Sequence, residues 1–593
     1  MELSMNRVLG FIIVILSFLP IIIFFMMPTS TPIYVDLNIN NHDKEILMDY
    51  SYSYLDSYFN GNNTTFENYD NLDNKKISYN ILFVTLLKDG KVRGCQSGST
   101  PINDNNRIFL DIDEAIAESI NDDRFGGIIT EDEYESIEIM FTFLYNISYL
   151  NNKSYGFLQN TIELGIHSIE LNYNNTPIVF KESVPISNNY DFAYLMKRLC
   201  LKGNLDEACY LEDDVDIFIY DTFSFKAKRE KPIIDLYRYS ILIDLDTITN
   251  DMILDSIISG QQWYLNSIDN TTNLSEYIYY PSDDTYSFDN NHVRQLASLW
   301  ALTELQKFYH KDSLDVLINT TFHYYLDFIK NEGDYSYLLI DDSAKLANNA
   351  FIILSLLNVP SFNEQETLLE KFAEGIMSLQ NENGSYNTYF FSEKNTGIDF
   401  YPGEAMLSLM KLYRYNKNET LLQSVQKGFY HYRDYWINNK NTAFIPWHTQ
   451  TYALLFEETK DMQVAEFIFE MNDWVIDNYQ VKESSYLDEI GGFPRYYPTF
   501  STSVYLEGIN DAYNVAIQVN DTFHIQKYKE SIIQGSRFIL QIQITEENSF
   551  YMENKNRSIG GYKKSLTSNE IRVDNVQHSV LALMKTYENN IFD

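Results

Sequence analysis

"YPGEAMLSLMKLYRYNKNETLLQSVQKGFYHYRDYW", Tyr401 to Trp436, holds two helical runs beginning near residues 401 and 418, with only a few residues between them. In both, apolar residues recur at i, i+3, i+4 and i+7, the spacing of one helical face. Helices joined by so short a loop are antiparallel neighbours. From about residue 235 onward β-type runs almost vanish and the same unit returns, with helical stretches beginning near residues 251, 289, 312, 341, 362, 401, 418, 446, 460, 499, 522 and 572. The connections are long before the stretches near 289, 341, 401, 446, 499 and 572 and short after them. That alternation reads as six helical hairpins at a period of roughly 45 to 75 residues.

Six such hairpins close into an all-α (α/α)6 toroid, with one helix of each pair lining the inside. Over residues 235–593 the pattern resembles the six-hairpin glycosidase class, which implies a carbohydrate-active toroid. If the helices after the long loops are the inner ones, their amino-terminal ends and the long loops share one face of the ring. The segments there are "SFDNNHVRQ", "IDDSAKLANN", "IDFYPGEAM", "PWHTQTY", "GGFPRYYPTFSTSVYLEG" and "IRVDNVQHS".

A sugar cleft needs aromatic platforms, acid and base carboxylates, and donors for hydroxyls. The candidates for catalysis are Glu404, Glu507, Asp574, His448 and His578. Those for substrate binding are Asp289, His292, Arg294, Tyr401, Trp447, Arg495, Tyr497 and Arg572. Plainer readings stand beside these. An Asp at a helix start, such as Asp341, Asp342 or Asp574, is ordinarily a cap. Pro402 is an ordinary first-turn proline, and the helix dipole favours Glu404 wherever it points. Trp447 and His448 suit a core as well as a cleft. Glu507, inside its helix, is harder to explain by capping. Asp574 and His578, four apart, share one helical face.

Ahead of the helices, residues 78–228 mix short β-type and helical runs: "YNILFVTLL" and "SIEIMFTFLY" read as strands, and "DIDEAIAESINDDRF" as a helix. This is an α/β or α+β pattern. The ordered blocks "ILFVTLLKDGKVRGCQSG", "AIAESINDDRF", "IELGIHSIEL" and "VPISNNYDFAYLMKRLCLKGNLDEA" resemble the AMMECR family. The Arg-Gly-Cys core of that family stands at Arg93, Gly94 and Cys95; Gln96 and Ser97 then depart from its usual apolar residue and Gly. The resemblance implies a pocket near Arg93, Cys95 and His167 and no established reaction. Beside Arg and His, Cys95 would be a nucleophile; as a structural turn, Arg-Gly-Cys would simply bury a thiol.

The run "VLGFIIVILSFLPIIIFFMM", Val8 to Met27, is long enough to cross a bilayer as a retained anchor; a cleaved signal peptide is the alternative, though its apolar region would be shorter and lead to a small-residue cleavage site. With Arg7 before it and no further basic residue until Lys44, the charge bias puts the bulk of the chain outside the cytoplasm. The expected organisation is a signal-anchor over 1–30, a juxtamembrane linker and start of the first domain over 31–77, and the two bodies behind it. N-x-[ST] sequons at Asn62, Asn146, Asn152, Asn174, Asn270, Asn273, Asn319, Asn383, Asn418, Asn520 and Asn556 fit an exported glycoprotein, although so Asn-rich a chain generates sequons by chance. Cys200 and Cys209 either pair across a short loop, leaving Cys95 free, or all three thiols stay unpaired.

The formal charge of −39, with no basic stripe, argues against nucleic acid as a partner. No zinc-type spacing and no cofactor motif appears, and a calcium site of scattered carboxylates would leave no trace at this level. The favoured partner is a glycan or cell-envelope polymer, met by a glycoside hydrolase, lyase or sugar epimerase. "YYPTFSTSVYLEG" followed by "IRVDNVQHSVLALM" resembles the helical domain of glucuronyl epimerases. "LQNENGSY", Leu379 to Tyr386, resembles the repeat of terpene cyclases, but in one copy and without their Asp-rich signature. A surface protein that binds a glycan or another protein without turnover is the remaining class.

Overall fold

The structure is a computed structural model that describes residues 37, 39–61, 77–99, 107–269, 271–359 and 365–593. The expected span Val8–Met27 lies outside the described residues, as do the sequons at Asn62 and Asn270. Among the described residues no helix is long and apolar enough to cross a membrane.

The first body is built on a seven-stranded sheet of β1 (Ile81–Lys88), β2 (Lys91–Ser97), β3 (Glu138–Tyr149), β4 (His167–Tyr173), β5 (Thr176–Phe180), β6 (Val215–Lys228) and β7 (Ile234–Leu236). The order is β2-β1-β3-β6-β4-β5, with β7 also on β6. Every pairing is antiparallel, so of the two classes left open by the sequence this body is α+β. The helix Arg107–Ile120 buries Phe109, Ile112, Ala115 and Ile116 at the spacing of one face. Helix Asn41–Asn60 joins the same core through Leu47, Met48, Tyr50 and Leu55, so the packed domain starts well before residue 78. On the other flank Cys200 and Cys209 form a disulfide, Cα atoms 5.7 Å apart, and Cys95 is the free cysteine.

The second body is the helical ring. Its inner helices are His292–Phe308, Leu346–Leu356, Tyr401–Asn416, Ile445–Thr459, Ser501–Val519 and Val573–Glu588. Each packs on the next, and the sixth packs back on the first. The outer helices are Asn250–Asn266, Asp312–Leu326, Gln365–Ser378, Glu419–Asn438, Met462–Tyr479 and Thr522–Ile542. Inner and outer helices differ as their surroundings require. All of Leu346–Leu356 is buried, whereas Glu419–Asn438 buries a stripe at Leu421, Ser424, Val425, Gly428, Phe429, Tyr432 and Trp436.

Their amino termini differ as well, apart from the first inner helix, which Asn291 caps, and the outer helix Asp312–Leu326, which has no side-chain cap. Thr249, Asn418, Asp461 and Asp521 cap outer helices by accepting a backbone N–H. The inner helices that follow Lys345, Phe400, Phe444, Phe500 and Arg572 have no side-chain cap. Carbonyls of the long loops serve instead: Gly397 accepts from Tyr401, Thr442 from Ile445 and Tyr277 from Val573. The capping reading therefore does not hold for Asp574, which lies inside its helix, nor for Asp341 and Asp342, which form a left-handed turn at φ of 50° and 56°.

The two bodies dock through the turn after β7, where Arg238 and Tyr239 are left-handed. Arg238, 4% exposed, donates to Asp488 of the ring at 2.7 Å and also bonds Glu163 and the Leu164 carbonyl of the first body. Phe550 of the ring packs under Lys226 and against Tyr239, and Asn569 bonds Asn189 and the Ile186 carbonyl.

Candidate functional site

The amino-terminal ends of the inner helices bring charged side chains together around the ring axis. Arg294, in the first turn of the first inner helix, donates to Asp574 of the sixth at 2.8 Å and to the Tyr277 hydroxyl at 3.0 Å. Arg572 donates to the same carboxylate at 2.9 Å. Burial alone would raise the Asp574 carboxyl, but the two arginines, with His578 nearby, overcome it and hold the group below the usual carboxylate range. Glu404, on the third inner helix, is the opposite case. Burial pushes its carboxyl up to about 8 against the opposing pull of Arg294, and its Oε2 has no hydrogen-bond partner. Tyr401 lies near enough to Glu404 and Arg294 for both charges to act on its hydroxyl.

One turn deeper, His578 Nδ1 lies 2.6 Å from Glu507 Oε1. The Trp447 ring stands 5.9 Å from that imidazole, and Gln450 Nε2 reaches the second oxygen of Glu507 at 3.4 Å. The far end of the axis opens as a 220 Å³ cavity lined by Trp300, Glu304, Lys411, Asp511 and Lys585. Chemically, the mouth holds a proton-bearing carboxyl, an ionised carboxylate, two guanidinium groups that bond hydroxyls or anions, and an imidazole backed by a carboxylate.

Of the residues expected at the cleft, Glu404, Asp574, Arg294, Arg572 and Tyr401 meet there, with His578, Glu507 and Trp447 behind them. His448 does not. It stacks on Phe444 at 3.4 Å, packs against Tyr432 of an outer helix, bonds the Phe444 carbonyl, and is pushed down to about 3 by burial, so it sits as a neutral core histidine. Trp447 and His448 are adjacent and so about 100° apart around the helix; only one of them can face the axis. His292 turns to the Tyr325 hydroxyl at 3.1 Å and to Asp341 at 3.6 Å. Asp289 is exposed. Arg495 and Tyr497 stand on an exposed loop whose Tyr497 hydroxyl meets Thr567, beside a groove shared with Gln159, Asn189 and Tyr190 of the first body. Tyr277 and Gln450 were not expected: the first lies in a loop and the second inside a helix, and neither carries a charge.

In the first body the family-implied trio separates. The β1–β2 pairing shifts between Leu86 and Leu87, leaving Arg93 as the extra residue of a bulge. Arg93 turns to Glu133 at 3.1 Å and to the Phe125 carbonyl. His167 accepts from the Glu163 backbone N–H and lies 3.8 Å from Asp221. Cys95 instead lines a cavity of about 610 Å³ between the two bodies, with Lys181, Lys202, Arg124 and Tyr239.

Fold and site together define the class: an α+β domain docked on a helical ring whose mouth gathers carboxyl, guanidinium and imidazole groups. Residues 49–225 match the family described as AMMECR1 and form an AMMECR1 domain. Protein MK0488 of Methanopyrus kandleri is 27% identical over 158 residues, 26% of this chain and 74% of that protein. Among solved structures, a D-mannose isomerase is similar at 12% identity over 58% of this chain and 99% of its own, with a TM-score of 0.44. A family 76 glycoside hydrolase from a bovine Bacteroides thetaiotaomicron strain is similar at 10% identity over 76% of this chain and 95% of its own, also at 0.44.

Proposed function

We propose that the ring is a carbohydrate-active enzyme whose mouth performs acid/base chemistry on a sugar, as a glycoside hydrolase, lyase or epimerase. One observation carries the reading: two buried carboxyl groups that share Arg294 as a neighbour are shifted in opposite directions, Glu404 up to about 8 by burial and Asp574 down by its two arginines. Glu404 then donates a proton to a leaving or ring oxygen, and Asp574 with its two arginines orients hydroxyl or carboxylate groups of the sugar. The His578–Glu507 pair is the candidate for proton removal from below. The nearly closed mouth, with Tyr401 9% and Trp447 6% exposed, suits a terminal sugar unit better than the middle of a polymer.

Incubation with neutral and uronic-acid oligosaccharides, followed by assays for reducing ends, unsaturated products and epimers, tests the proposal. Glu404→Gln and Asp574→Asn should each lower turnover by about 10² to 10⁴. Binding on a glycan array with no turnover of any bound sugar would replace the enzyme reading with that of a glycan-binding surface protein.

The setting proposed for this activity is the outer side of a membrane, with Val8–Met27 as the anchor. The Cys200–Cys209 disulfide supports an oxidising compartment, and the described sequon asparagines other than Asn146 are exposed.

A further inference from the structure

The cavity beside Cys95 is a second site, distinct from the ring mouth. It measures about 610 Å³, within the range of small-molecule sites, and its walls come from both bodies: the AMMECR1 domain supplies most of them, and Ser282, Tyr551 and Glu553 close it from the ring. Four cations line it, in a chain whose formal charge is −39. Two are already neutralised, Arg124 by Asp122 at 2.7 Å and Lys91 by Glu553 at 2.6 Å. The other two have no carboxylate partner among the described residues. Lys181 donates to the Thr85 hydroxyl at 2.8 Å, and Lys202 to the Val179 carbonyl at 2.6 Å. Glu182, next to Lys181 in the chain and within reach of its charge, is buried and engaged with Ser224 and Ser168.

The Lys181 contact continues to the thiol, because the Thr85 hydroxyl in turn donates to Cys95 Sγ at 3.2 Å. Around these groups the wall is aromatic and aliphatic: Phe83, Phe125, Phe180, Val92, Met140 and Val184. Two ammonium groups with no carboxylate in ion-pair contact among the described residues, beside an apolar chamber, match a ligand with an anionic head and an apolar body.

We propose that this inter-domain cavity binds a small aromatic or acyl-type phosphate or carboxylate, its anionic head between Lys181 and Lys202 and its body against the phenyl rings, with Cys95 at its side. Occupancy would bridge the AMMECR1 domain and the ring, since the ligand would touch both.

Cys95 is a built-in reporter because the other two cysteines are bonded to each other. Its labelling by dithiobis(2-nitrobenzoate), a dianionic aromatic disulfide, is compared with labelling by neutral dithiodipyridine. In the unaltered protein phenyl phosphate should slow both reagents, and benzyl alcohol at the same concentration neither. Lys181→Gln with Lys202→Gln should slow the anionic reagent about tenfold or more and leave the neutral one within about twofold, the neutral rate reporting that the cavity is still formed. Failure of phenyl phosphate to protect Cys95 in the unaltered protein, or an equal effect of the lysine changes on both reagents, would overturn the proposal. Neither outcome depends on the activity of the ring.

Discussion

Replacing Glu404 by glutamine tests the electrostatics of the ring mouth without any substrate. The side chain is 4% exposed, and burial, opposed by Arg294, carries its carboxyl from the ordinary 4.5 to about 8. The unfolded chain releases this proton above about pH 4.5, while the folded protein keeps it until about pH 8. The unfolded state therefore binds fewer protons across that window, and stability falls as pH rises through it. At about 1.4 kcal/mol per pH unit, the stability present below pH 4.5 is lost progressively to a total of roughly 5 kcal/mol by pH 8. Glutamine has no proton to lose, so Glu404→Gln should gain on the parent protein along that slope and then run parallel to it. Urea unfolding of both proteins at several pH values reads the difference directly. A gap that stays flat from about pH 5 to pH 9 would refute the reasoning, because Glu404 would then ionise like a solvated carboxyl and hold no proton for catalysis.

Further expectations concern the frame. Replacing Cys200 and Cys209 together by serine should cost the first body about 2.5 kcal/mol, the loop-closure value for nine residues of separation; an unchanged melting temperature would refute it. Arg238→Met strands the Asp488 carboxylate, whose side chain is 1% exposed, and should cost about 3 to 5 kcal/mol, with Asp488→Leu restoring part of it. Limited proteolysis of the segment joining the two bodies should report the loosening. A Cβ on Gly403 would lie 2.8 Å from both Trp447 Cβ and His448 Nδ1, so Gly403→Ala should force the third and fourth inner helices apart at about 1 to 3 kcal/mol, visible in denaturant midpoints.

Hairpin periodicity made the ring readable, because helix faces and loop lengths are local properties of the chain. The largest displacement was at Asp341 and Asp342, where two left-handed residues postpone the helix to Leu346. Glu507 was readable for a similar reason: a charge in mid-helix, away from the cap, needs a partner or a purpose. Its partner was not. Spacing linked His578 to Asp574 on its own helix, but ring packing delivers Glu507 from the neighbouring helix to the imidazole, and Arg294 from the first inner helix to join the local Arg572 on Asp574. The separation of Cys95 from Arg93 depends on a single bulge, and the pairing of Cys95 with Lys181 and Lys202 on residues roughly 85 to 110 positions away. Neither leaves a local trace.

Ring closure also governs how the chain is built. The first inner helix emerges at His292–Phe308, and the neighbour that covers its open flank, Val573–Glu588, follows only after more than 260 further residues. Until then a growing arc of five hairpins carries two unsatisfied apolar seams, one at each end. Closing them requires two distant ends of the arc to meet, a step of high contact order and slow kinetics. Asn250 and Asp593, hydrogen-bonded across the finished seam, mark where that encounter ends. During synthesis the seam is thus the surface most exposed to aggregation and the natural target of chaperones.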